Sequence, residues 1–223
     1  MNKLLGQLLG LRDKCAKYQD EINNKSERGN GIKAGCFGMI HNYAVATLEL
    51  LNFYKIVWEN PKVLGLEVPR MDEDLERARK ENAERIIDAT KCLFIKSLSA
   101  IEYSAKEAIK DKEHPLHSWY QEQKSKNRRI YLSGIISESY RMGLVNKKQK
   151  EYWDCLIYMR NMIVHNNGVA DKNVKYRIND LEIVFGENKM TKGKLDTFVK
   201  LTDIAVDLYY SWVLVSEKYK TGE

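Results

Sequence analysis

The sequence predicts an all-α protein: a helical bundle with an N-terminal helical extension and a small β-hairpin insertion before the last helix. Proline occurs only three times in 223 residues, so few positions interrupt a helix. Apolar residues recur every three to four positions over long stretches, the period of one helical face. A single stretch, 174–193, instead alternates apolar residues with turn formers.

The first helix is expected over 3–24, with Leu4, Leu8, Leu11 and Cys15 on one face. Ser26 to Gly38 holds four of the 13 glycines and reads as a turn-rich connection. Its Gly29-Asn30-Gly31 and Gly35 lack the Gly-Lys-Ser/Thr ending of a phosphate-binding loop. A second helix is expected over 39–58. Pro61 and Pro69 then bracket a linker, placing a boundary near residue 71 between an N-terminal extension (1–71) and the main bundle (72–223).

From Asp72 to about 111, Ile86/Ile87, Thr90, Leu93/Phe94, Leu98, Ile101 and Ala105 trace a core-facing stripe. A polar loop is expected over 112–126, carrying His114 and His117 without the acids or cysteines of a metal site. Helices are expected over 127–142 and 146–166, split by Gly143. The hairpin is expected around Gly186-Glu187-Asn188. A last helix over 194–219 places Leu195, Phe198/Val199, Thr202, Ala205/Val206, Tyr209 and Trp212/Val213 at helical spacing.

Composition narrows the function classes. Hydrophobic residues make up 43% and charged residues 30% of the chain, a balance that argues against disorder. The net charge of +6 is compatible with a polyanionic partner such as RNA. Cys15, Cys36, Cys92 and Cys155 are too scattered for a zinc or redox motif and are expected to act as small buried hydrophobes. No metal or cofactor is expected. The opening MNKLLGQLLGLRDK is too short an apolar run for a signal peptide, and Ile204–Val215 is too short for a membrane span. The chain is therefore expected to be cytoplasmic, without a membrane partner.

One helix breaks its own pattern. Within 146–166, Trp153, Leu156, Ile157, Ile163 and Val164 define an apolar face, and Arg160 stands in its middle. Removing water from an arginine is costly unless the charge is paired. Either Arg160 meets a buried carboxylate, or this face opens onto a cleft where an anion binds. Beside it runs a polar stripe of Asp154, Tyr158, Asn161 and His165, which ends at the helix stop Asn166-Asn167-Gly168. A histidine near an arginine suits acid–base chemistry on a phosphodiester. The structural alternatives are an ion-paired arginine and a capping histidine.

Arg160-Asn161 followed by His165 resembles the Arg-x4-6-His signature of the HEPN superfamily, including the polar residue directly after the arginine. The resemblance covers roughly 72–219 and implies a HEPN-like bundle of four or five helices. It also implies a metal-independent endoribonuclease, a toxin or a defence or RNA-processing effector, acting on RNA as a homodimer whose motifs meet at the interface. A cognate antitoxin or regulatory protein is a possible further partner. In that reading His165 is the acid/base, Arg160 holds the phosphate and Asn161 positions one of them. Glu102 and Lys106, at i and i+4, resemble an accessory pair near the site in some members, and Tyr158 is a further accessory candidate. Lys124, Lys126, Arg128 and Arg129, with Lys147 and Lys148, are candidate RNA contacts. Some HEPN toxins carry a modified tyrosine two residues after the motif histidine; here that position is Asn167, which argues against that regulation. The alternative function is a non-catalytic dimerisation or RNA- or ligand-binding module.

Spacing adds a condition. Five residues of regular helix separate Arg160 from His165 by about 140° around the axis and roughly 7.5 Å along it. A shared site needs unwinding at the helix end or a second chain.

Overall fold

The computed structural model describes residues 1–24, 31–59, 72–189 and 194–221. Among these lie seven helices and one hairpin: α1 (Asn2–Asn24), α2 (Gly31–Glu59), α3 (Asp72–Ala108), α4 (His117–Ser125), α5 (Leu132–Arg141), α6 (Lys147–His165), β1 (Val174–Ile178), β2 (Leu181–Phe185) and α7 (Thr197–Thr221). The all-α class with a hairpin before the last helix is as the sequence predicts. The predicted boundary near residue 71 lies outside the described residues.

Helices α1, α2, α3 and α7 pack as a ring of neighbours, and α3 and α7 also carry α6, with α5 lying on α3 and α6. The predicted stripe of α1 (Leu4, Leu8, Leu11 and Cys15) is buried against Phe37 and Ile40 of α2, Phe94 and Ile101 of α3, and Val206, Tyr209 and Trp212 of α7, in one continuous apolar cluster. Polar contacts fasten α1 to α7 at the edge of that cluster. Lys14 bridges Asp203 and Asp207 at 2.7 and 2.9 Å, and Tyr18 stacks on Tyr210 with ring centroids 3.7 Å apart.

Several expectations are corrected. The glycine-rich stretch is not a turn up to Gly38, because α2 begins at Gly31. A Cβ on Gly38 would meet the Gln19 side chain at 3.0 Å, so the glycine serves close packing of α2 on α1. The expected loop 112–126 contains α4, a helix without a buried face and therefore without an apolar stripe to announce it. His114 is no loose loop histidine: it is buried beside Trp212 and accepts the Leu116 N–H at 3.1 Å. Of the cysteines, Cys92 is exposed rather than buried.

The hairpin turns at Asn179-Asp180, not at Gly186-Glu187-Asn188, since Ile178 pairs with Leu181 and Val174 with Phe185. Asn179 adopts φ 53°, where asparagine is tolerated far better than most residues. Tyr152 of α6 clamps it, donating to Asn179 Oδ1 and accepting the Asn179 N–H, both at 3.0 Å. Ile178, Ile183 and Phe185 face inward, while Lys175, Arg177, Glu182 and Val184 face solvent.

Two caps fix the start of α6. Beyond the end of α5 the chain turns at Gly143 (φ 75°), with Leu144 N–H donating to Ser139 O and Gly143 N–H to Tyr140 O. Asn146 and Gln149 then form a reciprocal capping box, each side chain accepting the other's backbone N–H at 2.9 Å.

Candidate functional site

The buried residues of α6 are Tyr152, Trp153, Cys155, Leu156, Met159 and Met162. The core stripe is thus rotated from the predicted one: Ile157 and Ile163 are half-buried and Val164 is exposed. Met159 and Met162 fill the core in their place. Arg160 consequently lies at the margin of the apolar face, not at its centre, and the conflict with its charge disappears. Its side chain is 25% exposed.

At that margin the structure opens a pocket of about 260 Å³ lined by Leu98 and Glu102 of α3, Tyr131, Leu132 and Ser133 at the start of α5, and Ile157, Arg160 and Asn161 of α6. The volume is below the roughly 300–1,000 Å³ of sites that enclose a whole small ligand. It suits a single charged group with part of its carrier.

Every polar contact of Arg160 is long. Nη2 lies 3.8 Å from Glu102 Oε2 and 3.5 Å from Ser99 Oγ, and Nη1 donates to Asn161 Oδ1 at 3.3 Å. Ordinary N–H···O bonds span about 2.7–3.2 Å. The buried Nε has no partner among the described residues. The other Glu102 oxygen is taken by Lys106 at 2.6 Å, and Lys106 Nζ lies 5.8 Å from the centroid of the Tyr131 ring. A chain of alternating charge therefore runs from Lys106 through Glu102 to Arg160, and its last member retains unused donors. Such a guanidinium can accept a phosphate or carboxylate.

Of the residues singled out in the sequence, Arg160, Asn161, Glu102 and Lys106 are brought together here. His165 is not. Helix α6 stays α-helical through His165, and the N–H groups of Asn166 and Gly168 close its end on Met162 O at 3.0 and 3.1 Å. Asn167 and Gly168, at φ 50° and 81°, carry the chain away. No unwinding brings His165 towards Arg160; it stands exposed at the helix end, outside the pocket lining. The contact of Asn161 among these residues is with Arg160, whose Nη1 donates to Asn161 Oδ1 at 3.3 Å.

Tyr158 also lies elsewhere. Its hydroxyl donates to Asp171 at 2.6 Å and its ring meets Phe185 edge-on at 4.9 Å, so it anchors the hairpin. Burial, and then the bond to Asp171, hold its phenol above the ordinary range. Lys124, Lys126, Arg128 and Arg129 are exposed on α4 and the segment leading to Tyr131, with Lys126 pairing with Glu122. Lys147 and Lys148 begin α6, roughly 20 Å along the helix from Arg160. Neither lysine lines the pocket.

Ser99, Tyr131 and Ser133 were not identifiable as site residues from the sequence, because only tertiary packing brings them beside α6. Among the described residues, no group of three or more His, Cys, Asp and Glu side chains converges as a metal site requires. No helix among the described residues is long and apolar enough to cross a membrane. No protein-family model, curated protein or solved structure matches the chain.

Proposed function

We propose that this chain is a cytoplasmic HEPN-type endoribonuclease that acts as a homodimer and needs no divalent metal. The observation that carries the reading is Arg160: a half-buried guanidinium on a pocket wall that, among the described residues, has only long contacts and an Nε without a partner. A structural ion pair would use up those donors. An anion site keeps them.

RNA brings its own nucleophile, so the protein supplies positioning, proton transfer and charge stabilisation. Arg160, held by Asn161, takes the non-bridging phosphate oxygens. The ribose 2′-oxygen attacks phosphorus as the P–O5′ bond breaks. One His165 takes the 2′-hydroxyl proton and the other, from the second chain, protonates O5′. The products are a 2′,3′-cyclic phosphate and a 5′-hydroxyl end. The exposed position of His165 at the helix end leaves it available to a second copy. A toxin or defence effector of this kind would be held in check by an antitoxin or regulatory protein.

A second reading is favoured by the separation of His165 from Arg160 within one chain: a HEPN-like module that binds RNA or another ligand without chemistry. Incubation of varied RNAs with the purified protein in EDTA separates the two. Cleavage to cyclic-phosphate ends, lost in Arg160→Ala and His165→Ala proteins of unchanged helicity, supports the nuclease. RNAs left intact by the wild-type protein defeat it.

A further inference from the structure

We propose that Tyr131 is a base-stacking platform at the mouth of the Arg160 pocket, so that the pocket engages an unpaired nucleotide; the choice of RNA as substrate class rests on the nuclease reading above. A single exposed tyrosine needs no explanation by itself. This one has four features that together point to a ligand.

Tyr131 is 54% exposed although the next residue, Leu132, is 5% exposed and seated in the core. The backbone of Tyr131 is thus anchored by a buried neighbour and by the start of α5, with the ring left at the surface. It lines the same pocket as Arg160 and Asn161. Its hydroxyl bonds to none of the described residues, so hydrogen bonding does not account for its position. The ammonium of Lys106, itself tied to Glu102, lies 5.8 Å from the ring centroid, which couples the ring to the charge chain that ends at Arg160.

The approach to Tyr131 is basic. Lys126, Arg128 and Arg129 are all exposed, and Asn127 turns the chain between them at φ 51°. Basic side chains next to an aromatic ring are the combination that binds a single strand: phosphates meet the cations while a base lies on the ring. In a duplex both faces of each base are already covered by its neighbours, so the ring selects an unpaired base. The pocket is smaller than sites that enclose a whole small ligand. Its 260 Å³ takes the phosphate and part of the sugar, leaving the base outside, where Tyr131 stands.

The test uses the full chain and a short single-stranded 2′-fluoro RNA of mixed sequence, which lacks the attacking hydroxyl, with the matching duplex as comparison. Tyr131→Ala is expected to weaken single-strand binding roughly five- to hundredfold and to leave duplex binding unchanged. Tyr131→Phe keeps the aromatic face and should bind within about twofold of wild type. Thermal melting checks that each variant is folded, and Tyr131→Leu, which keeps the bulk without the π-face, should behave as the alanine variant does. Wild-type affinity in folded Tyr131→Leu, or an equal loss on the duplex, overturns the platform. Cleavage of ordinary RNA is scored separately. Tyr131-dependent binding without cleavage leaves the platform standing and removes the nuclease. Cleavage with Tyr131-independent binding, or with no binding to either probe, removes the platform alone; no binding and no cleavage overturns both.

Discussion

Arg160 and Lys106 share one carboxylate: Glu102 gives one oxygen to Lys106 at 2.6 Å and leaves the other 3.8 Å from Arg160. The closer claim belongs to Lys106. Arg160 is thereby kept near a negative charge, enough to offset part of its desolvation, without surrendering its donors. Glu102 is only 15% exposed, so it holds its place whether or not an anion enters the pocket.

Glu102→Gln removes the shared charge and leaves Arg160 on the pocket wall, with Lys106 behind it, without a carboxylate between them. Affinity for the 2′-fluoro single strand is expected to rise roughly three- to tenfold at low salt, because one unit charge a few ångströms away in half-exposed surroundings is worth about 1 kcal/mol. The gain should shrink as salt is added. Both ion pairs are partly exposed, so the fold should lose only about 1 kcal/mol. Weaker binding by a folded variant would instead make Glu102 a positioning group for Arg160.

The readable and unreadable parts of the sequence divide along physical lines. Helices α1, α3 and α7 are legible because each buries one face, and their stripes survive as buried residues in the fold. Helix α4 buries none of its residues and leaves no periodic trace. The glycines of α2 imply a turn when read locally, although Gly38 is explained by Gln19, a residue on another helix. Arg160 stands out in the sequence, but its place on α6 depends on Met159 and Met162 taking the core. Contacts beside the pocket, Ser99 with Arg160 and Lys106 with Tyr131, join residues distant in sequence. No local pattern encodes them.

The hairpin turn separates backbone strain from hydrogen bonding. Asn179→Gly keeps the positive φ and loses only the side-chain bond to Tyr152, so a cost below about 1 kcal/mol is expected. Asn179→Ala keeps a Cβ in the left-handed region but loses the polar side chain that makes this conformation tolerable for asparagine, for a total of about 1–2 kcal/mol. Urea denaturation of both variants measures the difference. Equal losses would remove φ as the reason for asparagine at this position.

Thiol reactivity should follow burial. Burial, the dominant cause, pushes the thiols of Cys15 and Cys155 up to about 12, and raises that of Cys36 as well. The thiolate is the reactive form, so these three should resist iodoacetamide in the native protein. Cys92, exposed on α3, should be alkylated first. Mass spectrometry of briefly treated protein is expected to find one modified site, with the others appearing only on unfolding. Early labelling of Cys15 or Cys36 would mean that α1 opens away from α2.

Alkali should loosen the α1–α7 clasp. Burial first, and then the bond to Glu21, push the Tyr210 phenol up to about 12; burial, with help from Asp207, also raises that of Tyr18. An unfolded tyrosine ionises near pH 10. Between these values the native state holds a proton that the unfolded state has lost, so stability falls as pH rises. The contribution is complete below about pH 10 and is lost on passing through about pH 12. Tyr210→Phe removes the titration together with the Glu21 bond. The wild type should therefore be the more stable of the two near pH 8, and the gap in their urea midpoints should narrow steadily above about pH 10. A gap that stays constant into strong alkali would show that the Tyr210 proton is not linked to folding.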